Sequence, residues 1–342
     1  MGMLAHIYAA AASARRSYYQ GRGRQRRLGR PVVSVGNLRV GGTGKTPTVA
    51  HVARILLEMG ERPAILSRGY ARKCAPEGVV VVSDGRRICA DLDRSGDEPL
   101  MLARDIEGAR VLVSPDRYLA GRLAEARLDA TVHVLDDGFQ HLSLARGTDL
   151  IIVGAEDLAD ARTLPAGRLR ESLSAAASAH AVLVPSGTDE QARTVAASLG
   201  VETAFRLVRT AGEPRRLDLI GASAPADPSV PVLAAAGIAR PDRFFDELRA
   251  SGWDVRRTLS YPDHHRYSRA DAAALVEAAR TAGARAIVTT EKDLVRLLPF
   301  RPLPMPLMWV PLTVQIEPAS VFRAWLAGRL AAERAGGLQV SA

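Results

Sequence analysis

Short β-branched runs alternate with longer helical segments between Pro31 and about Gly187. Each run ends in small or polar residues, and continuous apolar runs of this kind are typical of strands buried in a parallel sheet. The runs are PVVSVG, PAILSRG, VVVVSDG, RVLVSPD, TVHVLDDG, DLIIVGAED and HAVLVPSG. The pattern predicts a doubly wound α/β domain whose functional loops follow the C-terminal ends of its strands.

The pattern weakens after residue 188 into a stretch rich in Pro, Gly and Ala, and a second, smaller α/β pattern follows it. A final amphipathic segment predicts a terminal helix. We therefore predict five parts: an N-terminal segment 1–30, a nucleotide-binding domain 31–200, a connection or hairpin 201–230, a smaller α/β lobe 231–315, and a C-terminal helix and tail 316–342.

The N-terminal segment combines an apolar run with a basic end. Residues 1–30 hold seven arginines and no acidic residue, so the rest of the chain carries only +2 of the formal net charge of +9. The nearly balanced body argues against nucleic-acid binding. The apolar run is shorter than the roughly 20 residues that span a bilayer. Two interpretations stay open: an ordinary surface helix with a solvated basic end, or an amphipathic helix lying on an anionic membrane.

The two cysteines, Cys74 and Cys89, are too few for a disulfide framework and lack metal-ligand spacing. They favour a reducing compartment and have no assigned role.

The segment RVGGTGKT, which begins at Arg39, is similar to a phosphate-binding loop. In such a loop, backbone N–H groups surround phosphate oxygens, a lysine reaches the outer phosphates, and a hydroxyl binds Mg²⁺. Arg39 stands where the usual pattern has its first glycine. A strand precedes the segment and a helix follows it, which favours nucleotide binding over a glycine-rich turn without a ligand. The predicted binding residues are Gly41, Gly42, Thr43, Gly44, Lys45 and Thr46.

Two acidic pairs are candidates for the chemistry of phosphoryl transfer. Asp136 and Asp137 end a predicted strand, where one carboxylate is suited to hold Mg²⁺; alone, the pair equally fits a solvated turn. Asp97 and Glu98 begin a helical run, either as helix-capping residues or as the source of a general base. The sequence pattern does not decide between these roles.

Two adjacent histidines, His264 and His265, lie in the segment SYPDHHRYS. A metal site, a surface loop and a histidine that orients a catalytic acid are all compatible with this pattern.

Several motifs occur together in the order typical of the tetraacyldisaccharide 4′-kinase family, which the chain resembles over nearly its whole length. They are SVGNLRVGGTGKTP, LSRGY, GDEP, SPDR, LDDGFQH, LPAGRLRE, GIARPDRFF, DHHRY and TTEKD. LDDGFQH after that phosphate loop is the most specific of them. The phosphate loop of the family also lacks the first glycine, so Arg39 agrees with the family pattern. The chain departs from that pattern at Ala239, where the family has asparagine.

The resemblance implies ATP- and Mg²⁺-dependent phosphorylation of the 4′-hydroxyl of a tetraacylated glucosamine disaccharide 1-phosphate, which gives lipid IVA. It implies a P-loop NTPase-like domain plus a smaller α/β lobe, with the active site between the lobes. It also implies that the enzyme acts at the cytoplasmic face of the inner membrane of Gram-negative bacteria. This favours the interpretation of the N-terminal segment as an amphipathic helix lying on an anionic membrane. Neither nucleic acid nor an obligate protein partner is expected.

The resemblance also assigns roles to individual residues. Lys45 would hold the phosphates and Thr46 the Mg²⁺. The other residues and roles are Asp97 as the base, His264 as its partner, Asp136 and Asp137 at the metal, Gln140 and His141 beside them, Arg168 facing phosphate charge, and Glu98 near the lysine and the metal. A membrane-docked NTPase switch, which hydrolyses nucleotide without phosphorylating a lipid, is the alternative function.

Overall fold

The computed structural model describes residues 3–21, 23–70, 72, 78–217 and 223–338. The chain divides into two compact units. The first unit contains the chain up to Arg209 and from Val314 onward, and the second unit contains Thr210–Thr313. Cys89 is exposed and is not in a disulfide, whereas Cys74 lies outside the described residues.

The helices and strands of the described residues are numbered in chain order. The helices are α1 Met3–Gln20, α2 Lys45–Glu58, α3 Leu92–Ser95, α4 Asp97–Asp105, α5 Arg117–Arg127, α6 Ala155–Ala159, α7 Asp189–Ser198, α8 Pro241–Ala250, α9 Arg269–Thr281, α10 Glu291–Leu297 and α11 Ala319–Leu338. The strands are β1 Val32–Asn37, β2 Pro63–Ser67, β3 Val80–Asp84, β4 Arg110–Val113, β5 Val132–Asp136, β6 Thr148–Ile152, β7 Ala181–Pro185, β8 Ala204–Ala211, β9 Arg215–Leu217, β10 Ser223–Pro225, β11 Val232–Ala236, β12 Val255–Ser260, β13 Ala286–Thr290, β14 Leu307–Val310 and β15 Leu312–Glu317.

Over the described residues, the sheet of the first unit has the strand order β15-β8-β7-β6-β1-β5-β2-β4-β3. All seven predicted runs form strands, and β1 pairs in parallel with both β5 and β6. The mostly parallel α/β class is therefore confirmed. The expectation of a parallel strand is wrong for β3, which pairs antiparallel with β4. β3 lies at the end of the sheet, where an antiparallel strand is common in an otherwise parallel sheet.

Helix α2 shows how the sequence pattern places a helix against this sheet. Val49, Val52, Leu56 and their neighbours on one side are buried, and the helix contacts β1, β2 and β5. Each fully buried leucine or valine contributes on the order of 1.5–3 kcal/mol relative to exposure. This packing fixes the first turn of α2 at the C-terminal end of β1.

Helix α1 packs on the first unit through few residues. Ala5 and Arg16 are buried, and the Ala5 carbonyl accepts a hydrogen bond from Thr163 Oγ1 at 3.2 Å. Met3 and Leu4 at the start of the helix are exposed. Within the described ranges, none of the helices is both long enough and apolar enough to cross a membrane.

The second unit contains a sheet with the order β10-β9-β14-β13-β11-β12 in its described part. The strands β12, β11, β13 and β14 are parallel, and β9 pairs antiparallel with β14 and β10. The smaller α/β pattern that the sequence predicts is present as strands β11 to β14 and helices α8 to α10. Two apolar clusters form its core, one including Leu275 and Leu294 and the other Phe245 and Trp253.

Candidate active site

The phosphate loop joins the end of β1 to the start of α2, between the parallel neighbours β5 and β6. Gly41 and Gly44 adopt φ values of +103° and +87°, which side chains other than glycine rarely adopt. Gly44 directly precedes α2 and has no side chain with which to cap it. The N–H groups of the first turn therefore remain available to an anion.

Arg39, which replaces the usual first glycine, contacts two acidic side chains of α6. Its Nη1 lies 3.1 Å from both Glu156 Oε1 and Asp157 Oδ1, and its side chain is largely buried. The curved part of the loop begins at Gly41, after this anchored position. A glycine is consequently not required at residue 39.

Lys45 Nζ lies 3.2 Å from Asn37 Oδ1 and 3.6 Å from Asp137 Oδ1. Burial lowers the pKa of Lys45, while the charges of Asp137, Asp136 and Glu98 oppose that shift. These contacts hold the lysine at the start of α2, among carboxylates. The structure thus brings together four residues that the sequence indicated separately: Lys45, Glu98, Asp136 and Asp137.

The adjacent carboxyl groups Asp136 and Asp137 have opposite properties. Asp136 is buried, and burial followed by the charges of Glu98 and Asp137 raises its pKa to about 7. Burial also acts to raise the pKa of Asp137, but the charges of Lys45 and Arg170 outweigh it and lower that pKa. Asp136 accepts one hydrogen bond from a side chain, given by Ser67 Oγ at 3.1 Å.

The residues at this end of the sheet fit Mg²⁺. Burial and neighbouring carboxylates disfavour the ionised form of Asp136, and a divalent cation would relieve that repulsion. Thr46 is buried in the first turn of α2, where phosphate loops supply a hydroxyl. Among the described residues, no cluster of three or more His, Cys, Asp or Glu side chains is suited to a metal ion. Mg²⁺ commonly uses only one or two carboxylates beside substrate phosphates.

Asp97 and Glu98 form the first turn of α4. Asp97 is buried, and its Oδ1 accepts the backbone N–H of Glu98 at 3.0 Å. The partial positive charge of a helix N-terminus favours ionised carboxylates here. Glu98 acts electrostatically on both Lys45 and Asp136, so α4 contributes to the same charged site.

Arg170 is a site residue that the sequence analysis missed. Its Nη1 donates to Asp137 Oδ2 at 2.9 Å and its Nη2 to Asp137 Oδ1 at 3.2 Å. Nη1 also donates to Gln140 Oε1 at 3.2 Å. The predicted Arg168, two residues earlier, is exposed, and its guanidinium lies against Gly41 of the phosphate loop. Both residues are in the motif LPAGRLRE, which did not distinguish between them.

Asn37 was also missed, although it stands in the motif SVGNLRVGG. It is fully buried; its Oδ1 accepts from Lys45 and, at 3.0 Å, from Arg170 Nη2. Its Nδ2 donates to Thr43 Oγ1 at 2.9 Å, and its carbonyl accepts from Gln140 Nε2 at 2.9 Å. Asn37 therefore links the phosphate loop to the acidic pair.

His141 lies in a basic environment beside these residues. Burial, together with the charges of Arg117 and Arg146, lowers its pKa to about 4, so the ring is neutral near pH 7. Arg117 of the motif SPDR is buried and interacts electrostatically with Asp136 and Asp137. The motif was visible in the sequence, but nothing local indicated the direction of this side chain.

The two histidines of the second unit have different surroundings. His264 Nδ1 lies 3.3 Å from Arg296 Nη2, and its backbone has a φ of +58°. His265 stacks on Tyr261 with ring centroids 4.7 Å apart, and its Nε2 lies 3.3 Å from Asp271 Oδ2. These contacts make His265 part of the packing of its loop.

The family model described as Tetraacyldisaccharide-1-P 4′-kinase matches residues 1–331. The chain is 41% identical over 308 residues to a protein of Geobacter metallireducens named tetraacyldisaccharide 4′-kinase, covering 87% of this chain and 88% of the relative. It is 40% identical over 317 residues to one of the same name from Bradyrhizobium sp., covering 90% and 85%. A crystal structure of LpxK from Aquifex aeolicus in complex with ATP has a TM-score of 0.76 at 28% identity, covering 96% of this chain and 97% of that one.

Proposed function

Because the chain belongs to the tetraacyldisaccharide-1-P 4′-kinase family, we propose that it transfers the γ-phosphoryl group of ATP to the 4′-hydroxyl of a tetraacyldisaccharide 1-phosphate. The product is lipid IVA, an intermediate of lipid A synthesis. The observation that carries this function is the position of Lys45 at the phosphate loop, with its Nζ 3.6 Å from Asp137 Oδ1 of the acidic pair. The kinase function is favoured over an NTPase switch by the relatives' name.

In this proposal, Lys45 and the N–H groups of the phosphate loop hold the outer phosphates of ATP. Thr46 and a carboxylate of Asp136 or Asp137 hold Mg²⁺, which would offset the negative charge of the phosphates when bound. Arg170 fixes Asp137 through two hydrogen bonds. Arg168, beside Gly41, would meet phosphate charge. Positioning and electrostatic stabilisation supply most of the catalysis in such transfers.

Asp97 is the proposed general base, and His264 is its proposed partner. A carboxylate at a helix N-terminus is suited to accept the proton of a hydroxyl that attacks phosphorus. Gln140 and His141 act indirectly: Gln140 contacts Asn37 and Arg170, and the neutral ring of His141 avoids adding positive charge. Glu98 influences Lys45 and Asp136 through its charge.

The proposed location is the cytoplasmic face of the inner membrane, with α1 lying on an anionic lipid surface. Met3, Leu4 and Ile7 are 78%, 66% and 58% exposed, and basic residues follow along the chain. Exposed apolar side chains next to arginines suit the interface of an anionic bilayer. Arg16 is an exception to this role, since it forms a buried ion pair with Glu171.

Two experiments test these proposals separately. For the reaction, the chain is incubated with Mg-ATP and a tetraacyldisaccharide 1-phosphate in detergent, and mass spectrometry should find one phosphate added to the distal sugar. An unmodified lipid accompanied by ADP and free phosphate would contradict the kinase. For the membrane, flotation with phosphatidylglycerol vesicles should be weakened by Ile7→Glu. The matched control, Val321→Glu, changes an exposed apolar residue of α11; equal flotation of all three proteins would contradict the role of α1.

A further inference from the structure

A buried carboxylate in the second unit joins three of the motifs found in the sequence. Asp293 of TTEKD has no exposed surface. Its Oδ2 accepts the N–H of Gly237, in GIARPDRFF, at 2.9 Å, and the hydroxyl of Thr290 at 2.7 Å. Its Oδ1 accepts a hydrogen bond from the hydroxyl of Tyr267, the last residue of DHHRY, at 3.3 Å. Asp293 thus fixes the loops after β11 and before α9 to the start of α10.

Arg296 completes this arrangement one helical turn later. Its Nη1 donates to Asp293 Oδ1 at 3.1 Å and to the carbonyl of Gly237 at 2.9 Å, and only 4% of the side chain is exposed. The ion pair and the carbonyl fix the plane of the guanidinium. Its Nη2 consequently points to His264 Nδ1, 3.3 Å away.

The chemistry of the guanidinium determines which nitrogen of His264 carries the proton. An arginine side chain only donates hydrogen bonds. The Nδ1 atom therefore accepts in this contact, and the proton of the neutral ring lies on Nε2. The carboxylate of Asp263 lies 3.9 Å from Nε2, beyond hydrogen-bonding distance.

We propose that Asp293 and Arg296 are positioning residues that hold His264 as the tautomer with its proton on Nε2. In this form Nε2 can donate a hydrogen bond but cannot accept a proton, so His264 does not remove the proton of the attacking hydroxyl through this atom. The role of base stays with Asp97, as under the proposed function. The tautomer follows from the contacts within the second unit, whereas its catalytic use rests on the proposed function.

The tautomer is measured directly by long-range ¹H–¹⁵N NMR of the full chain at neutral pH. The chain has seven histidines, and the His264→Gln variant identifies the resonances of residue 264. We expect Nδ1 to show the shift of an unprotonated ring nitrogen and Nε2 that of a protonated one. Arg296→Lys, which retains the charge facing Asp293 but not the planar second donor, should shift both signals toward an average of tautomers. A protonated Nδ1 in the unaltered protein would overturn the proposal.

Kinetics test whether the tautomer matters for catalysis. Arg296→Lys should lower kcat about tenfold or more with little change in the KM for ATP, and combining it with His264→Gln should add little further loss. Additive losses would contradict action through His264. Arg249→Lys, at an exposed ion pair on α8, is the control and should leave kcat unchanged. If His264→Gln itself retains full activity, the proposed role of His264 fails, while the NMR result decides the tautomer independently.

Discussion

Arg170 holds both oxygens of Asp137, with hydrogen bonds of 2.9 Å and 3.2 Å. This paired geometry places a fixed positive charge beside Lys45, and the charges of Lys45 and Arg170 together lower the pKa of Asp137. In the described part of the chain, the neighbouring Asp136 accepts a side-chain hydrogen bond from Ser67 and not from an arginine, and its pKa is raised. The two carboxylates of the motif LDDGFQH therefore differ because the charges of Lys45 and Arg170 outweigh the effect of burial at Asp137, whereas burial and the neighbouring acids dominate at Asp136.

The two arginines of LPAGRLRE should differ in importance. Arg170→Met removes both hydrogen bonds to Asp137 and should lower kcat/KM for ATP by about 10²–10³-fold, the usual effect of losing one fixed electrostatic contact. Arg168→Met removes an exposed guanidinium and should have a smaller effect. Steady-state kinetics of the two variants measure the difference. A larger loss in Arg168→Met would contradict the role given to Arg170.

Asn37 should be needed for tight ATP binding. The change Asn37→Leu leaves Lys45 and Arg170 without a shared acceptor and Thr43 without its donor. Hydrogen bonds to charged groups contribute about 1.5–3 kcal/mol, so the Kd for Mg-ATP should rise roughly 10- to 100-fold. Isothermal titration calorimetry measures it, with Leu312→Asn, an exposed residue, as a control. An unchanged Kd would show that Asn37 does not organise the loop.

The Arg16–Glu171 pair should stabilise the attachment of α1. Arg16 Nε lies 2.7 Å from Glu171 Oε2, and both side chains are largely buried. Removing one member of such a pair leaves an uncompensated charge and costs about 3–5 kcal/mol. We expect Arg16→Met to lower the free energy of unfolding in urea by about this amount, and the double variant Arg16→Met, Glu171→Met to recover most of it. A double variant no more stable than Arg16→Met would contradict the pairing.

His141 should contribute to loss of stability in acid. Its pKa is lowered from 6.5 to about 4 by burial and then by Arg117 and Arg146. Between these values the unfolded chain binds a proton that the folded chain does not, so the stability present above pH 6.5 is lost as the pH falls toward 4. His141→Gln should reduce this fall in the free energy of unfolding, measured by urea titrations across that range. Identical pH profiles for the two proteins would refute the assignment.

Features determined by neighbouring residues were predictable from the sequence. Lys45 and Thr46 follow a strand and begin a helix as expected. Asp136 is the last residue of β5, so it lies at the C-terminal end of that strand as expected. The apolar runs also identified the strands of both α/β patterns. In each case, a spacing of a few residues determines the local backbone and the side of the element that is buried.

Features that depend on distant parts of the chain were not predictable in the same way. The contact of Arg170 with Asn37 joins residues 133 positions apart, and no local pattern distinguishes Arg170 from Arg168. Similarly, the position of β15 beside β8 follows from the return of the chain after the second unit. Strand order and side-chain contacts between residues far apart in the sequence depend on the packing of the whole unit, which the periodicity of the sequence does not encode.

The fate of the γ-phosphoryl group tests the central claim most directly. γ-Labelled ATP is supplied with Mg²⁺, detergent and tetraacyldisaccharide 1-phosphate, and label is followed into lipid and into free phosphate. We predict acceptor-dependent label in the lipid, reduced about 10²–10⁴-fold in Asp97→Asn because the base is lost, with ATP binding retained. Label that appears only as free phosphate, whether or not acceptor is present, would contradict the kinase and support an NTPase switch.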